Sequence, residues 1–276
     1  KEIQLIDKTK DLKYYFQIFA TFDTIDAMGA NFINSCLEEF AKIFIESTND
    51  YENINKNDIE IVMSILSNYV PNCIVRANAT CSVDKLNSLH PETKNFAKKI
   101  VDAVAIANCD ISRGVTHNKG VMNGIDAVAI ATGNDFRAIE AGVHAYVSRS
   151  GKYQSLTNAE IQENKFIFSI EIPLSIGTIG GVTDLHPLVK FALELLGNPS
   201  SDDLMMIMAS VGLAQNFGAL RSLVTSGIQK GHMKMHLINL LNKLNANENE
   251  KESAIEHFKN HKINNASVDL FLKNIR

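Results

Sequence analysis

With 276 residues, 27 Lys and Arg against 31 Asp and Glu, and a formal charge of −4, the chain is long enough for a large core and lacks the basic excess of a nucleic-acid binder. Its lysines are interleaved with acids instead of gathered in a stripe, which also argues against a membrane-surface protein. Cys36, Cys73, Cys81 and Cys109 form neither a C-x-x-C pair nor a metal-like cluster, and read as reduced thiols of a cytoplasmic protein with no metal site. No leader is visible, and the longest apolar stretches are broken by Asn, Asp or Gly short of the roughly 20 residues that cross a bilayer.

From the start of the chain, residues 14–22 read as a strand running into the turn-and-cap sequence TIDAMGAN. From Asn31 onward Phe32, Cys36, Phe40 and Ile43 recur at helical spacing. A polar loop leads to IEIVMSIL at 59–66, a predicted strand that stops at Ser67-Asn68, so that 1–67 reads as a small α+β unit. CIVRANATCSV predicts a further strand, and a helix is expected from Pro91 to about Asn108. The stretch ISRGVTHNKGVMNGIDAVAIATGNDFRAIEAG at 111–142 sets Lys119 between Asn118 and Gly120, at what reads as a loosened entrance to the apolar run Val121 to Ala131. Gly133-Asn134-Asp135 is a stop-and-turn signal, with helices expected on both sides. KFIFSIEIP at 165–173 alternates like a strand, and a Gly-rich stretch, LSIGTIGGVTDLHP, precedes a helix at 187–196. A long helix is expected over 202–226, and the tail from Gly231 reads as short helices rich in Asn, Lys and Glu.

Neither G-x-G-x-x-G nor G-x-x-x-x-G-K-[ST] occurs, and GTIGG has the wrong spacing for both, which argues against a Rossmann cofactor domain. The stretch Asp26, Ala27, Met28, Gly29, Ala30, Asn31 instead places a glycine at a helix entry. Free amides there could hold a phosphate, or form a plain cap. His232 and His236 share a helix face, but no glutamate beside His232 completes a zinc motif; acid–base use of one of them, or a surface position, remains. Lys119 and Asn123 lie one turn apart on a common face. Lys119 and Asp135 would sit about 160° apart on a straight helix and can meet only through the break at Gly133-Asn134. A lysine in such company can stabilise an oxyanion on a carbonyl. No G-x-S-x-G elbow or activated cysteine offers a hydrolytic nucleophile.

Four motifs in order, DTIDAMGAN, RGVTHNKGVMNGIDAVAIATGNDFRAIEAGVHAY, EIPLSIGTIGGVTDLHP and VGLAQNFGALRSLVTSGIQKGHM, resemble class II 3-hydroxy-3-methylglutaryl-CoA (HMG-CoA) reductases from about Asp23 to Met233. The resemblance implies reduction of HMG-CoA to mevalonate and CoA in two hydride steps by NADH or NADPH, or the reverse. It implies Lys119 as the lysine that polarises the thioester and aldehyde oxygen, Asp135 as its carboxylate partner, and His232 as the acid for the departing CoA thiolate. Asn123 and Arg113 become substrate-binding residues, Asp26, Met28, Gly29, Ala30 and Asn31 the cofactor loop, and Asn68 a residue near the nicotinamide.

The implied fold is α+β: part of a small ferredoxin-like, non-Rossmann cofactor domain (1–67), a helix-rich substrate domain (68–227) and a helical C-terminal flap (228–276). The implied assembly is a cytoplasmic homodimer with active sites at the subunit interface, taking HMG-CoA or mevalonate and no nucleic acid or membrane. The family also uses a glutamate in a motif near Glu-Asn-x-x-Gly, upstream of the small domain. The sequence in hand has no such segment, so it is expected to be the C-terminal portion of such an enzyme. A non-catalytic CoA- or dinucleotide-binding subunit is the alternative, and a helical scaffold without a ligand the third reading.

Overall fold

The computed structural model describes all residues except 1, 53, 54, 182, 184, 226 and 260, and gives the backbone alone at 50, 56, 228–232 and 234. The first unit pairs β1 (Ile3–Asp7) with β2 (Phe16–Ala20) as an antiparallel hairpin, followed by α1 (Ala30–Ser47). No residue of α1 is buried, and Phe32 and Ile43 on its apolar stripe stay exposed. β1 is an addition to the sequence expectation. The predicted strand at 59–66 is a correction: these residues are in neither helix nor strand, and Val62, Met63 and Ile65 are exposed. An apolar, β-branched run suits an extended backbone, but only a hydrogen-bonded neighbour makes it a strand. Here the run is tethered to α1 by the Leu66 amide, which donates to Asn34 Oδ1 at 2.9 Å.

The larger unit is built on an antiparallel sheet of order β3–β5–β4, with β3 at Ile74–Ser82, β4 at Thr157–Gln162 and β5 at Lys165–Pro173. The alternation read in KFIFSIEIP is observed: Phe166, Phe168, Ile170 and Ile172 point into the core. β4 (TNAEIQ) went unread because its inward residues are Thr157 and Ala159, too small or polar to show as an apolar period. The short α2 (Val83–Ser88) was also unread, and α3 (Phe96–Cys109) starts later than expected because Asn95 takes a left-handed conformation (φ 55°) that ends the preceding turn.

Next come α4 (Ile111–Ala131) and α5 (Phe136–Val147), then α6 (Pro187–Leu195) and α7 (Ser201–Val224). α7 packs across α4 and α3 onto β3. By length and composition it is the one described helix that could cross a membrane, but Leu204, Met208, Ala209, Leu213 and Leu220 bury it in the core. Its bounds are close to those expected from sequence. The tail folds as α8 (Ile228–Lys243), α9 (Glu248–His257) and α10 (Asn265–Ile275), around a small core of its own that includes Leu237, Leu241, Phe258, Val268 and Leu272.

The α4–α7 crossing is set by two glycines. A Cβ on Gly124 would lie 2.9 Å from both the Val211 carbonyl oxygen and Gln215 Cβ, and one on Gly212 would lie 2.9 Å from the Ile125 side chain. Nothing lies within 4 Å of a Cβ on Gly218, further along α7. Gly124→Ala should therefore cost about 1–3 kcal/mol through overpacking, lowering Tm by roughly 3–10 °C. Gly218→Ala should gain up to about 1 kcal/mol from helix propensity. Thermal unfolding of the two variants should show shifts of opposite sign.

Candidate active site

The helix that carries Lys119 starts before the apolar run. Asp110 caps α4 by accepting from the amides of Ser112 (3.1 Å) and Arg113 (3.3 Å), so helix forms from Ile111. The loosened entrance expected at Lys119-Gly120 is therefore corrected: both residues lie within the helix. Gly120 faces α7, where a Cβ would meet Asn216 Nδ2 and the Ala219 methyl at 3.6 and 3.7 Å, ordinary contact distances.

Behind this turn lies a buried polar knot. Thr157 Oγ1 donates to Asn216 Oδ1 at 3.0 Å, so its oxygen accepts from His117 Nε2 at 2.7 Å. Asn216 Nδ2 donates to the His117 carbonyl at 3.2 Å, while Asn118 donates to the Gln154 carbonyl (2.8 Å) and accepts from the Leu156 amide (2.9 Å). His117, Asn118, Thr157 and Asn216 are all at most 2% exposed. Burial, with Arg113 nearby, pushes the His117 pKa down to about 4, so the ring is neutral with Nδ1 unprotonated and unpartnered. These contacts fix the rotation of α4 about its axis. Lys119 and Asn123 are thereby turned outward together.

Both residues are exposed on one face. With the Asn123 amide oriented to satisfy both groups, its oxygen accepts from Lys119 Nζ and its nitrogen donates to Lys119 O, each at 3.3 Å. Arg113 lies about 120° around the helix from Lys119, half-buried beside His117. Neither Arg113 nor Lys119 forms an ion pair among the described residues, and burial lowers the Arg113 pKa.

Asp135 does not join Lys119. About 18 Å of helix rise separates Lys119 from the end of α4, beyond the reach of any side chain. The turn at Gly133-Asn134 does reverse the chain, but it delivers Asp135 to the start of α5. There its Oδ1 accepts from the amides of Arg137 (3.0 Å) and Ala138 (3.3 Å), and both its oxygens accept from the Arg137 guanidinium at 3.1 Å. The Arg137 side chain is the main cause holding the Asp135 carboxyl below its usual range.

In the loop Asp26 to Asn31, Gly29 is left-handed (φ 76°) and serves as N-cap of α1, without a side-chain cap and without an acid in the first turn. The open amides suit an anionic group such as a pyrophosphate. Asp26 itself is committed to structure: its Oδ1 accepts from the Ser201 amide at 2.8 Å at the start of α7, and its carbonyl accepts from Thr178 N at 2.8 Å. Met28 and Gly177 meet backbone to backbone, since a Cβ on Gly177 would lie 2.4 Å from Met28 N. Ala30 and Asn31 open α1, and the Asn68 carbonyl lies against α5 at Gly142. His232 lies on α8, with its side chain outside the described residues.

Sequence reasoning passed over a titratable row on α4 and α5. Burial, and then Glu140, raise the Asp126 pKa to about 7; Glu140 Oε2 lies 2.6 Å from His144 Nε2, and His144 Nδ1 lies 2.9 Å from the Tyr153 hydroxyl. Asp126 falls seven residues after Lys119, roughly 10 Å along the same helix face. The available signal was an acid inside each of two apolar helical runs, IDAVAIA and AIEAG.

Residues 2–237 match the hydroxymethylglutaryl-coenzyme A reductase family. The 3-hydroxy-3-methylglutaryl-coenzyme A reductase of Archaeoglobus fulgidus is 40% identical over 235 residues, covering 85% of this chain and 50% of the relative. A probable reductase of the same name from Borreliella burgdorferi is 38% identical over 238 residues, covering 84% of this chain and 53% of the relative. Among solved structures, the Streptococcus pneumoniae HMG-CoA reductase superposes with a TM-score of 0.67 at 38% identity, over 92% of this chain and 59% of that one. A class II S. pneumoniae structure bound to NADPH in open conformations matches with the same score and identity. The chain belongs to the hydroxymethylglutaryl-coenzyme A reductase family, and it spans about half the length of the curated relatives it matches.

The depressed His117 pKa fixes the sign of an acid response. The unfolded imidazole takes up a proton near pH 6.5 and the folded one only near 4. The stability this contributes is present above pH 6.5 and is lost as pH falls towards 4, by up to about 3 kcal/mol. Urea unfolding at pH 7 and 4.5 should show this loss in the wild type and a shallower one in His117→Gln.

Proposed function

We propose that this chain carries the substrate-polarising half of an NAD(P)-dependent HMG-CoA reductase, which interconverts HMG-CoA and mevalonate plus CoA in two hydride steps. The observation that carries the reading is Lys119: an exposed cation on a rigid helix, hydrogen-bonded to Asn123 and without a carboxylate partner among the described residues. Its charge is free to meet a carbonyl oxygen that becomes negative in the transition state, where it lowers the barrier more than it tightens binding.

Asn123 orients the ammonium, and Arg113, half-buried and without an ion pair among the described residues, takes a substrate carboxylate or part of the CoA arm. The amides at Gly29, Ala30 and Asn31 would hold the dinucleotide, with Met28 beside them and Asn68 towards the nicotinamide; Asp26 contributes by holding the loop. A bound NADH or NADPH supplies the hydride. His232 protonates the departing thiolate from a C-terminal flap, 228–276, that closes over a substrate domain, 68–227; residues 1–67 form part of a ferredoxin-like cofactor domain.

Because Asp135 cannot reach Lys119 within one chain, we place the two together across a homodimer, with Asp135 of a second copy meeting the lysine. Arg137 then releases Asp135 on assembly. This arrangement keeps the active site at the subunit interface. The protein works in the cytoplasm on this reading, and needs no metal.

In the full-length protein, Lys119→Ala should lower HMG-CoA-dependent NADPH oxidation by about 10²–10³-fold. The dissociation constant for NADPH, measured by fluorescence titration, should stay within about twofold, since uniform binding is not what the lysine supplies. Turnover near the wild-type value in Lys119→Ala would refute the assignment.

A further inference from the structure

One side chain, Asn134, bonds the turn before Asp135 to Gly177, the residue packed against the Asp26–Asn31 loop. α4 ends in a left-handed glycine, Gly133 (φ 72°), whose amide donates to the Ile130 carbonyl at 3.2 Å while the Asn134 amide donates to the Ala129 carbonyl at 2.8 Å. This pair of bonds closes the helix and fixes the Asn134 backbone. Its side chain is then fixed at both ends: Nδ2 donates to Thr132 Oγ1 at 3.0 Å, and Oδ1 accepts from the Gly177 amide at 2.8 Å. The next residue is Asp135.

Gly177 in turn lies directly on the loop before α1. Its missing side chain admits the Met28 amide, with the Asp26 carbonyl 3.0 Å from where a Cβ would stand. That carbonyl accepts from Thr178 N at 2.8 Å and from Ile179 N at 3.3 Å, and the other side of the loop is held by Ser201, whose hydroxyl donates to the Ile25 carbonyl at 3.0 Å. A loop held this closely cannot rearrange around an anion without moving the 177–179 backbone. That backbone is bonded to the turn that aims Asp135.

We propose that Asn134 is a positioning residue that couples occupancy of the Asp26–Asn31 loop to the placement of Asp135. The inference rests on the proposed function, because it takes a dinucleotide as the ligand of that loop. It assigns a purpose to the GTIGG segment, which fits neither nucleotide motif. Coupling of this kind is reciprocal for binding: whatever loosens the Asp135 turn weakens the dinucleotide at the loop.

The test uses full-length protein, with NADPH as the probe, and three variants. Asn134→Ala removes the acceptor for Gly177, Asn134→Ser is too short to reach it, and Asn134→Asp keeps it. NADPH affinity is read by calorimetry, together with kcat and KM for HMG-CoA. Asn134→Ala and Asn134→Ser should weaken NADPH binding about 5–10-fold, at the low end of allosteric coupling, and lower kcat with little change in KM for HMG-CoA. Asn134→Asp should restore NADPH affinity to within about twofold of wild type, given the retained acceptor.

A merely structural role would reduce the fraction of binding-competent protein, seen as stoichiometry, and leave the dissociation constant unchanged in all three. That result overturns the coupling. If Asn134→Ala does not fold, Asn134→Ser decides by the same reading. Wild-type protein that binds no NADPH would overturn the proposed function itself, and the coupling with it. Wild-type protein that binds while both shortened variants bind equally well would overturn the coupling alone.

Discussion

Everything at the candidate site depends on how closely α7 can lie across α4. Glycine at 124 and at 212 lets the two backbones approach until carbonyl and side-chain atoms meet where a methyl would otherwise be. Only at that separation can Asn216 reach the His117 carbonyl and, through Thr157, the His117 ring. The knot is polar, neutral and buried, a state that costs free energy for each unpaired group, and within it only His117 Nδ1 lacks a partner among the described residues. Its return is orientation: α4 has one rotation in which these bonds form, and in that rotation Lys119 and Asn123 face outward.

Much of this was legible in the sequence, and the exceptions have physical causes. The alternation of KFIFSIEIP, the helical period of α1, the long helix expected over 202–226 and the stop at Gly133-Asn134 are local patterns that tertiary structure kept. The run at 59–66 has the local pattern of a strand without the neighbour, and hydrogen-bonded pairing is not a local property. β4 failed in the opposite way, because a ladder to β5 made a strand out of a sequence with little apolar signal. Lys119 was seen as the unusual residue and Asn123 as its neighbour, since positions one turn apart follow from helix geometry alone. Its supposed entrance position failed because Asp110 caps the helix earlier than the apolar run suggests.

The relation of Lys119 to Asp135 shows where sequence spacing stops being informative. Spacing allowed a contact through a break in the helix, and the break exists. The helix before it is simply too long, so the lysine and the carboxylate lie at opposite ends of α4. Arg137, two residues on, occupies the carboxylate instead. The proposed reading meets this geometry by placing the lysine and the carboxylate together across two copies. The loop before α1 makes a similar point: the sequence marked Asp26 to Asn31 as a possible phosphate cradle, but only the fold reveals that Asp26 is spent on capping α7 and that Gly177 and Asn134 hold the loop from the other side.

The measurement that tests the central claim most directly is a crystal structure of the full-length protein with HMG-CoA bound. The account predicts the thioester oxygen within hydrogen-bond distance of Lys119 Nζ, about 3 Å, with Asn123 still on the lysine and Asp135 arriving from a second copy. A thioester bound away from α4, or with its oxygen turned from Lys119, would contradict it.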